Sequence, residues 1–407
     1  MSSMMSALQH RGRISATSLR AVVAFAAVLM PATLAAQSRP AKSFSVLYSF
    51  KGKPDGAQPY AGLVQDASGT LYGTTDEGGE YNWGTVFKLD DTGKETVLHS
   101  FAGDKDGEYP WAGLVLDNSG NLYGTASEGG AGACYEGYQN VGCGIVFALD
   151  RTGKETILHT FTGGADGSWP YYGYLVRDKA GTLYGTTYYG GSDGISGTVY
   201  KIDPDGKETV LHSFNGNDGA YPSAGVMRDS SGNLYGTALI GGQQNGGTVF
   251  KFTSSGKFSV LHNFSDGTDG GWLEGELVRD SFGNLYGTSL FGGKFYQYGT
   301  VFKLSKNGKE TVLYSFTGGA DGAVPYAGLV RDSSGNLYGT TAAGGAHGQG
   351  VVFKLDPAGK ETVLHSFTGG KDGGVPYASL LLAKDRTLYG TTAAGGSGFG
   401  VVFSVKP

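Results

Sequence analysis

Seven histidines, four tryptophans, two cysteines and a recurring Asp-Gly pair are the residues of this 407-residue chain whose types could do chemistry. His99, His159, His212, His262 and His365 recur in one slot, where Tyr48 and Tyr314 stand in two further copies. A metal ligand or a general base would not survive a Tyr–His exchange; an aromatic packer with a polar tip would. Asp55, Asp106, Asp166, Asp218, Asp269, Asp321 and Asp372 each precede a glycine, as turn-forming aspartates do. The denser stretches 104–107 and 266–270 resemble oxygen-rich cation loops. Calcium takes about six to eight oxygens, however, and the bidentate Glu of an EF-type loop is missing. No cofactor is expected, and calcium is the one cation worth weighing.

The tryptophans point to binding. Trp83, Trp111, Trp169 and Trp272, with Tyr81, Tyr109, Tyr188 and Tyr189, fall in variable loops together with Glu108 and Glu274. Large apolar faces with polar handles suit stacking on a sugar ring or another apolar ligand. The plainer alternative is that these rings fill gaps between structural units. Val324 and Val375 occupy the Trp169 slot in other copies, so the tryptophans are not a repeat-wide packing feature. No Gly-x-Ser-x-Gly elbow, P-loop, His-Glu-x-x-His or dinucleotide fingerprint is present. Two loop carboxylates such as Glu108 and Glu274 could still work as an acid/base pair on a glycan, as a lyase or glycoside hydrolase would use them. The expected role is a binding module for glycan or cell-envelope material, with such an enzyme as first alternative and a protein–protein scaffold as second.

The chain is expected to be exported. Arg11, Arg13 and Arg20 precede an apolar run over 21–34 and a small-residue cleavage point at Ala35-Ala36-Gln37, so 1–36 reads as a signal peptide and 37–43 as a short linker. No other stretch reaches the ~18 apolar residues of a membrane span. Cys134 and Cys143, nine apart, then read as a disulfide closing a loop. Without the leader the formal charge falls from −5 to −8, which leaves no electrostatic footprint for nucleic acid. The expected product is a secreted, periplasmic or surface monomer.

The elements that must position these residues come from a repeat. Leu122-Tyr123-Gly124-Thr125 is one of seven copies, with tyrosines at 72, 123, 184, 235, 286, 338 and 389, spaced by 51, 61, 51, 51, 52 and 51. Each unit holds four short strand-like segments; in the second they span 112–117, 121–125, 144–150 and 155–161. Four strands per unit of about 50 residues is a propeller-blade signature. Tight Asp-x-x-Gly turns join the first strand to the second and the third to the fourth. The variable loops join the other pairs, so they share the opposite rim, together with the ten-residue surplus that carries the cysteines. The mature chain opens at 44–50 with a fourth-strand sequence and ends at 400–405 with a third strand. A closed seven-bladed all-β propeller over 44–407 follows, its last blade shared between the two ends.

The ordered motifs GNLYGTT at 335–341, GTVFKL at 299–304, GKETVLHSFTGG at 359–370, DG at 321–322 and PYAGLV at 325–330 resemble the choice-of-anchor tandem repeats called GloVer repeats. That resemblance runs from about residue 44 to the end. It implies an exported bacterial propeller-like protein, usually tethered, and assigns no activity.

Overall fold

The computed structural model describes residues 44–136 and 138–407; the expected leader at 1–36 and linker at 37–43 lie outside them. Each residue of the repeated tetrapeptide has a separate task. In the second copy Leu122 is buried in the core, and Tyr123 Oη donates to Asp117 Oδ2 at 3.1 Å, pinning the tight turn. Gly124 leaves room for a ring, since a Cβ there would sit 2.6 Å from Phe147 Cζ. Thr125 leaves the blade altogether: its Oγ1 donates to the Pro170 carbonyl of the next one at 3.1 Å.

Seven four-stranded antiparallel sheets result. Blades one to six cover 64–100, 115–160, 176–213, 227–263, 278–315 and 330–366, and blade seven joins 381–405 to 44–49. Neighbouring blades meet through aromatic pairs. The phenylalanine after each fourth strand packs against the third-strand ring of the following blade, edge-on in Phe101–Phe147 at 5.3 Å and Phe161–Tyr200 at 5.1 Å and tilted in Phe264–Phe302 at 4.9 Å. Each such ring is fully buried, a contribution of about 1.5–3 kcal/mol.

The ring closes by completing blade seven from both ends and tying it twice to blade one. Phe44–Ser49 pairs antiparallel with Val401–Val405, from Phe44↔Val405 to Ser49↔Val401. Thr391 Oγ1 donates to the Ala61 carbonyl at 2.9 Å, and Phe50 packs edge-on against Phe87 at 5.1 Å. The first strands depart from expectation. The segment anticipated over 112–117 pairs only at Val115–Leu116, and the corresponding strands of the other blades are as short. Nearest the axis the backbones converge, so the preceding residues turn their carbonyls to the neighbouring blade's threonine, as in Thr74 Oγ1 to Ala112 O at 3.0 Å, instead of extending their own sheet.

The variable loops are also tied to each other. The Asp-Gly loop entering each blade bridges the loop between that blade's second and third strands, as at Glu108↔Glu128, Ser168↔Tyr189 and Ala323↔Ala343. Cys134 and Cys143 form the expected disulfide beside the hairpin Tyr135–Glu136 and Gln139–Asn140. Among the described residues no helix is long and apolar enough to cross a membrane.

Candidate functional site

One turn, repeated seven times, aims side chains at the axis. Gln58, Tyr109, Trp169, Tyr221, Trp272, Val324 and Val375 all take φ between +54° and +60°, a left-handed conformation that β-branched residues such as Val324 seldom adopt. The chain then bends inward, through proline in every case but Leu273, and the slot that follows supplies Tyr60, Trp111, Glu274, Tyr326 and Tyr377 to the lining of one cavity at the variable-loop rim. That inward slot holds Tyr60, Trp111, Ser223, Glu274, Tyr326 and Tyr377; blade three has one extra residue and offers Tyr171 and Tyr172.

The rings in this slot form a continuous arc. Tyr326 meets Tyr377 at 4.9 Å, Tyr377 meets Tyr60 at 5.3 Å, and Tyr60 stacks on Trp111 at 5.2 Å. Trp111 touches Tyr172 at 5.0 Å and Tyr171 at 5.1 Å, and the arc continues through Tyr188 to Tyr221, stacked at 4.9 Å. Glu274 stands in the gap at blade five and lines the same cavity as Tyr60, Trp111, Tyr172, Tyr326 and Tyr377. The floor lies one level lower, in a ring otherwise made of glycine. There Tyr174, Glu276 and Ser379 replace it: Tyr174 Oη accepts the Gly62 amide, and Ser379 Oγ donates to Glu276 Oε2 at 2.9 Å while accepting the Gly328 amide at 3.0 Å. Tyr174 fits because Gly113 has no side chain; a Cβ there would fall 1.8 Å from its ring.

Burial sets the electrostatics of this bowl. Desolvation alone pushes the Glu274 carboxyl up to about 7, although it still faces the water of the mouth. Burial likewise lifts Glu276 to about 7, partly offset by its bond from Ser379. The phenols of Tyr172, Tyr326 and Tyr377 are raised by desolvation and then by the nearby Glu274 charge, and that of Tyr188 by desolvation, Tyr189 and then Glu274, so they stay protonated. Asp76, behind the arc, is almost wholly buried and raised well above the carboxylate range by desolvation and by Glu77. The Trp111 indole N–H faces it without closing a hydrogen bond.

The residues anticipated for a binding face separate into groups. Trp111 and Glu274 line the axial bowl, and Tyr188 joins its arc. Trp169 occupies the outward turn, in edge contact with Tyr189 at 5.3 Å, its Nε1 donating to Gly142 O at 3.3 Å. Trp83 packs edge-on against Tyr109 at 5.3 Å, and Glu108 accepts the Asp104 amide at 2.9 Å. Trp272 meets Phe291 at 5.5 Å and is 40% exposed; Tyr81 is exposed as well. The four indoles therefore do not share one pocket. Tyr60, Tyr172, Tyr326 and Tyr377, which sequence reasoning passed over, complete the bowl. Their signal was the slot after the proline, where ring types recur but Ser223 and Glu274 interrupt, followed by a glycine slot broken by Tyr174, Glu276 and Ser379.

A second titratable cluster lies at the outer seams. His99 Nε2 is 3.3 Å from Asp106 and 3.9 Å from Glu155 of the next blade, close enough for the three to hold a cation. Its counterparts argue for structure instead. Tyr314 Oη donates to Asp321 at 3.0 Å where His99 would stand, and Phe258 and Phe44 stack on His212 and His365 at 3.5 and 3.6 Å where Glu155 would stand. Desolvation, then the bond to Asp106, pushes Glu155 up to about 9, so it enters the seam as a neutral acid.

Comparison with known proteins agrees with this architecture. No curated protein matches the chain. Among solved structures it is similar to virginiamycin B lyase from Staphylococcus aureus, at 14% identity over 90% of this chain and 100% of that one, with a TM-score of 0.55. It is also similar to the extracellular domain of a protein assigned to the hybrid two component systems of B. thetaiotaomicron, at 12% identity over 87% of this chain and 39% of that chain, with a TM-score of 0.54. At such identities the likeness is one of fold. The model of the Gloeobacter/Verrucomicrobia repeat matches residues 33–139, 131–333 and 292–407, and the chain belongs to that family.

Proposed function

We propose that this protein is an exported binding module that takes glycan or other cell-envelope material at the axial bowl. The observation that carries the reading is the arc of touching rings from Tyr326 through Tyr377, Tyr60 and Trp111 to Tyr172, set around a mouth that Glu274 lines beside them. Rings in that setting give a ligand large apolar faces edged by hydroxyls. Export is supported by the disulfide between Cys134 and Cys143, which suits an oxidising compartment. The test is a titration of tryptophan fluorescence with a panel of envelope polysaccharides and head groups, on the wild type and on Trp111→Phe. A response that the substitution weakens is expected; silence across the panel would sink the reading.

One observation favours a second reading, an enzyme on the same site. A carboxyl held near neutrality by aromatic surroundings is suited to giving a proton, and Glu274 has that environment. The other carboxyl lining the cavity is Glu276, and Asp76 is buried behind the arc; Glu108 is in neither place. Turnover of a glycan panel that Glu274→Gln abolishes would replace the binding role with this one.

A further inference from the structure

We infer that the bowl holds a quaternary ammonium group, with Glu274 as its counter-charge and the rings of Tyr60, Trp111, Tyr172, Tyr326 and Tyr377 as its walls. The inference rests on the binding role proposed for this mouth and names the chemistry at the ligand's buried tip.

Three features of the cavity lead there. The first is the wall. The faces of Trp and Tyr carry the negative part of the ring quadrupole and attract a cation, most strongly where water is excluded. Among the described residues no lysine or arginine lies over these five rings or pairs with Glu274. The chain's own cations cover other tyrosines, Arg177 over Tyr123 and Lys354 over Tyr338 for example. The second is the floor. Tyr174, Ser379 and Glu276 are engaged with Gly62, Gly328 and one another, which leaves Glu274 as the lining carboxylate without a hydrogen bond among the described residues. A sugar edge or a primary ammonium brings several donors that would each lose water and need an acceptor. A quaternary ammonium brings charge and methyl groups and has no N–H to need an acceptor. The third is size. About 40 Å³ is open to the centre of a water molecule, room for a compact group rather than a sugar ring lying flat.

Glu274 must be ionised to serve. The groups facing it are the phenols of Tyr172, Tyr188, Tyr326 and Tyr377, all held protonated, with the Glu276 carboxyl one level below and tied to Ser379. With Glu274 at about 7, its ionised share rises about tenfold from pH 6 to pH 8, and cation affinity rises with it.

The experiment is calorimetric titration with choline and with 3,3-dimethyl-1-butanol, which has its shape without its charge, at pH 6 and pH 8. Choline is expected to bind at least about tenfold more tightly than the alcohol, to strengthen at pH 8, and to lose about tenfold or more on Glu274→Gln. Glu276→Gln should keep the preference for choline. Phosphatidylcholine vesicles form a second arm: a response to free choline or to the vesicles supports the inference, and the arm that responds names the source. Equal binding of choline and the alcohol, or a wild type indifferent to both pH and charge, overturns it. Neutral polysaccharide binding lost on Trp111→Phe, with no response to choline or to the vesicles, would overturn the ammonium inference while leaving the binding role intact. Silence to every probe would remove both.

Discussion

The seams between blades and the bowl on the axis are both lined by aromatic rings, yet they treat the repeat in opposite ways. At the seams the pattern is kept: a phenylalanine meets a third-strand ring in every blade pair, from Phe50–Phe87 round to Phe367–Phe403. At the axis it is broken: one slot holds Tyr60, Trp111, Ser223 and Glu274 in turn, and the glycine slot below admits Tyr174 and Glu276. A feature shared by all blades makes a symmetric ring and serves closure. A feature of one blade makes a direction, and a ligand needs a direction.

The sharpest way to test that division is to cut a ring from each region. Phe147→Ala should cost about 3–5 kcal/mol, read as a fall in the melting midpoint, and leave ligand affinity of the folded fraction unchanged. Trp111→Ala should do the reverse, lowering affinity by about ten- to a hundredfold while the melting midpoint falls less than for Phe147→Ala. Were Trp111→Ala the more destabilising of the two, the arc would be packing and the comparison would fail.

A milder test uses protons. Glu155 is held neutral up to about 9 and Glu95 and Glu310 up to about 7, chiefly by burial in the seams. The unfolded chain releases these protons near 4.5, so the native state binds more of them above that pH and stability falls as pH rises from about 5 to about 9. Melting across that range should show the decline, and Glu155→Gln should flatten its upper part. A wild-type midpoint that climbs with pH over the same interval would contradict the seam chemistry. The smallest effect belongs to the turns. Tyr123→Phe removes the bond to Asp117 and should cost about 1 kcal/mol, whereas Tyr389→Phe should be close to silent because Ala383 stands where the turn aspartate would be.

What could be read from the chain follows the same line. Tyr123, Gly124 and the Asp117 turn were legible because their tasks are local and repeated seven times, and closure was legible because the segment at 44–50 matches a fourth strand. The disulfide was legible from two cysteines nine residues apart. The bowl was not. Its members lie on different blades and meet only after closure, and the turn that separates Trp169 from Trp111 depends on backbone angles at Trp169 and Tyr109. The shortened first strands were hidden for a related reason. Ala112 carries strand-like neighbours, but its carbonyl is claimed by Thr74 of another blade.

The pairing of Phe44 with Val405 has one more consequence. Both lie at the tight-turn rim, on the far side of the disc from the bowl. A linker fused ahead of Phe44 or behind Val405 would thus hold the domain from underneath, its opening turned away from the support like a dish on a post, and either fusion point suits an immobilised binding assay.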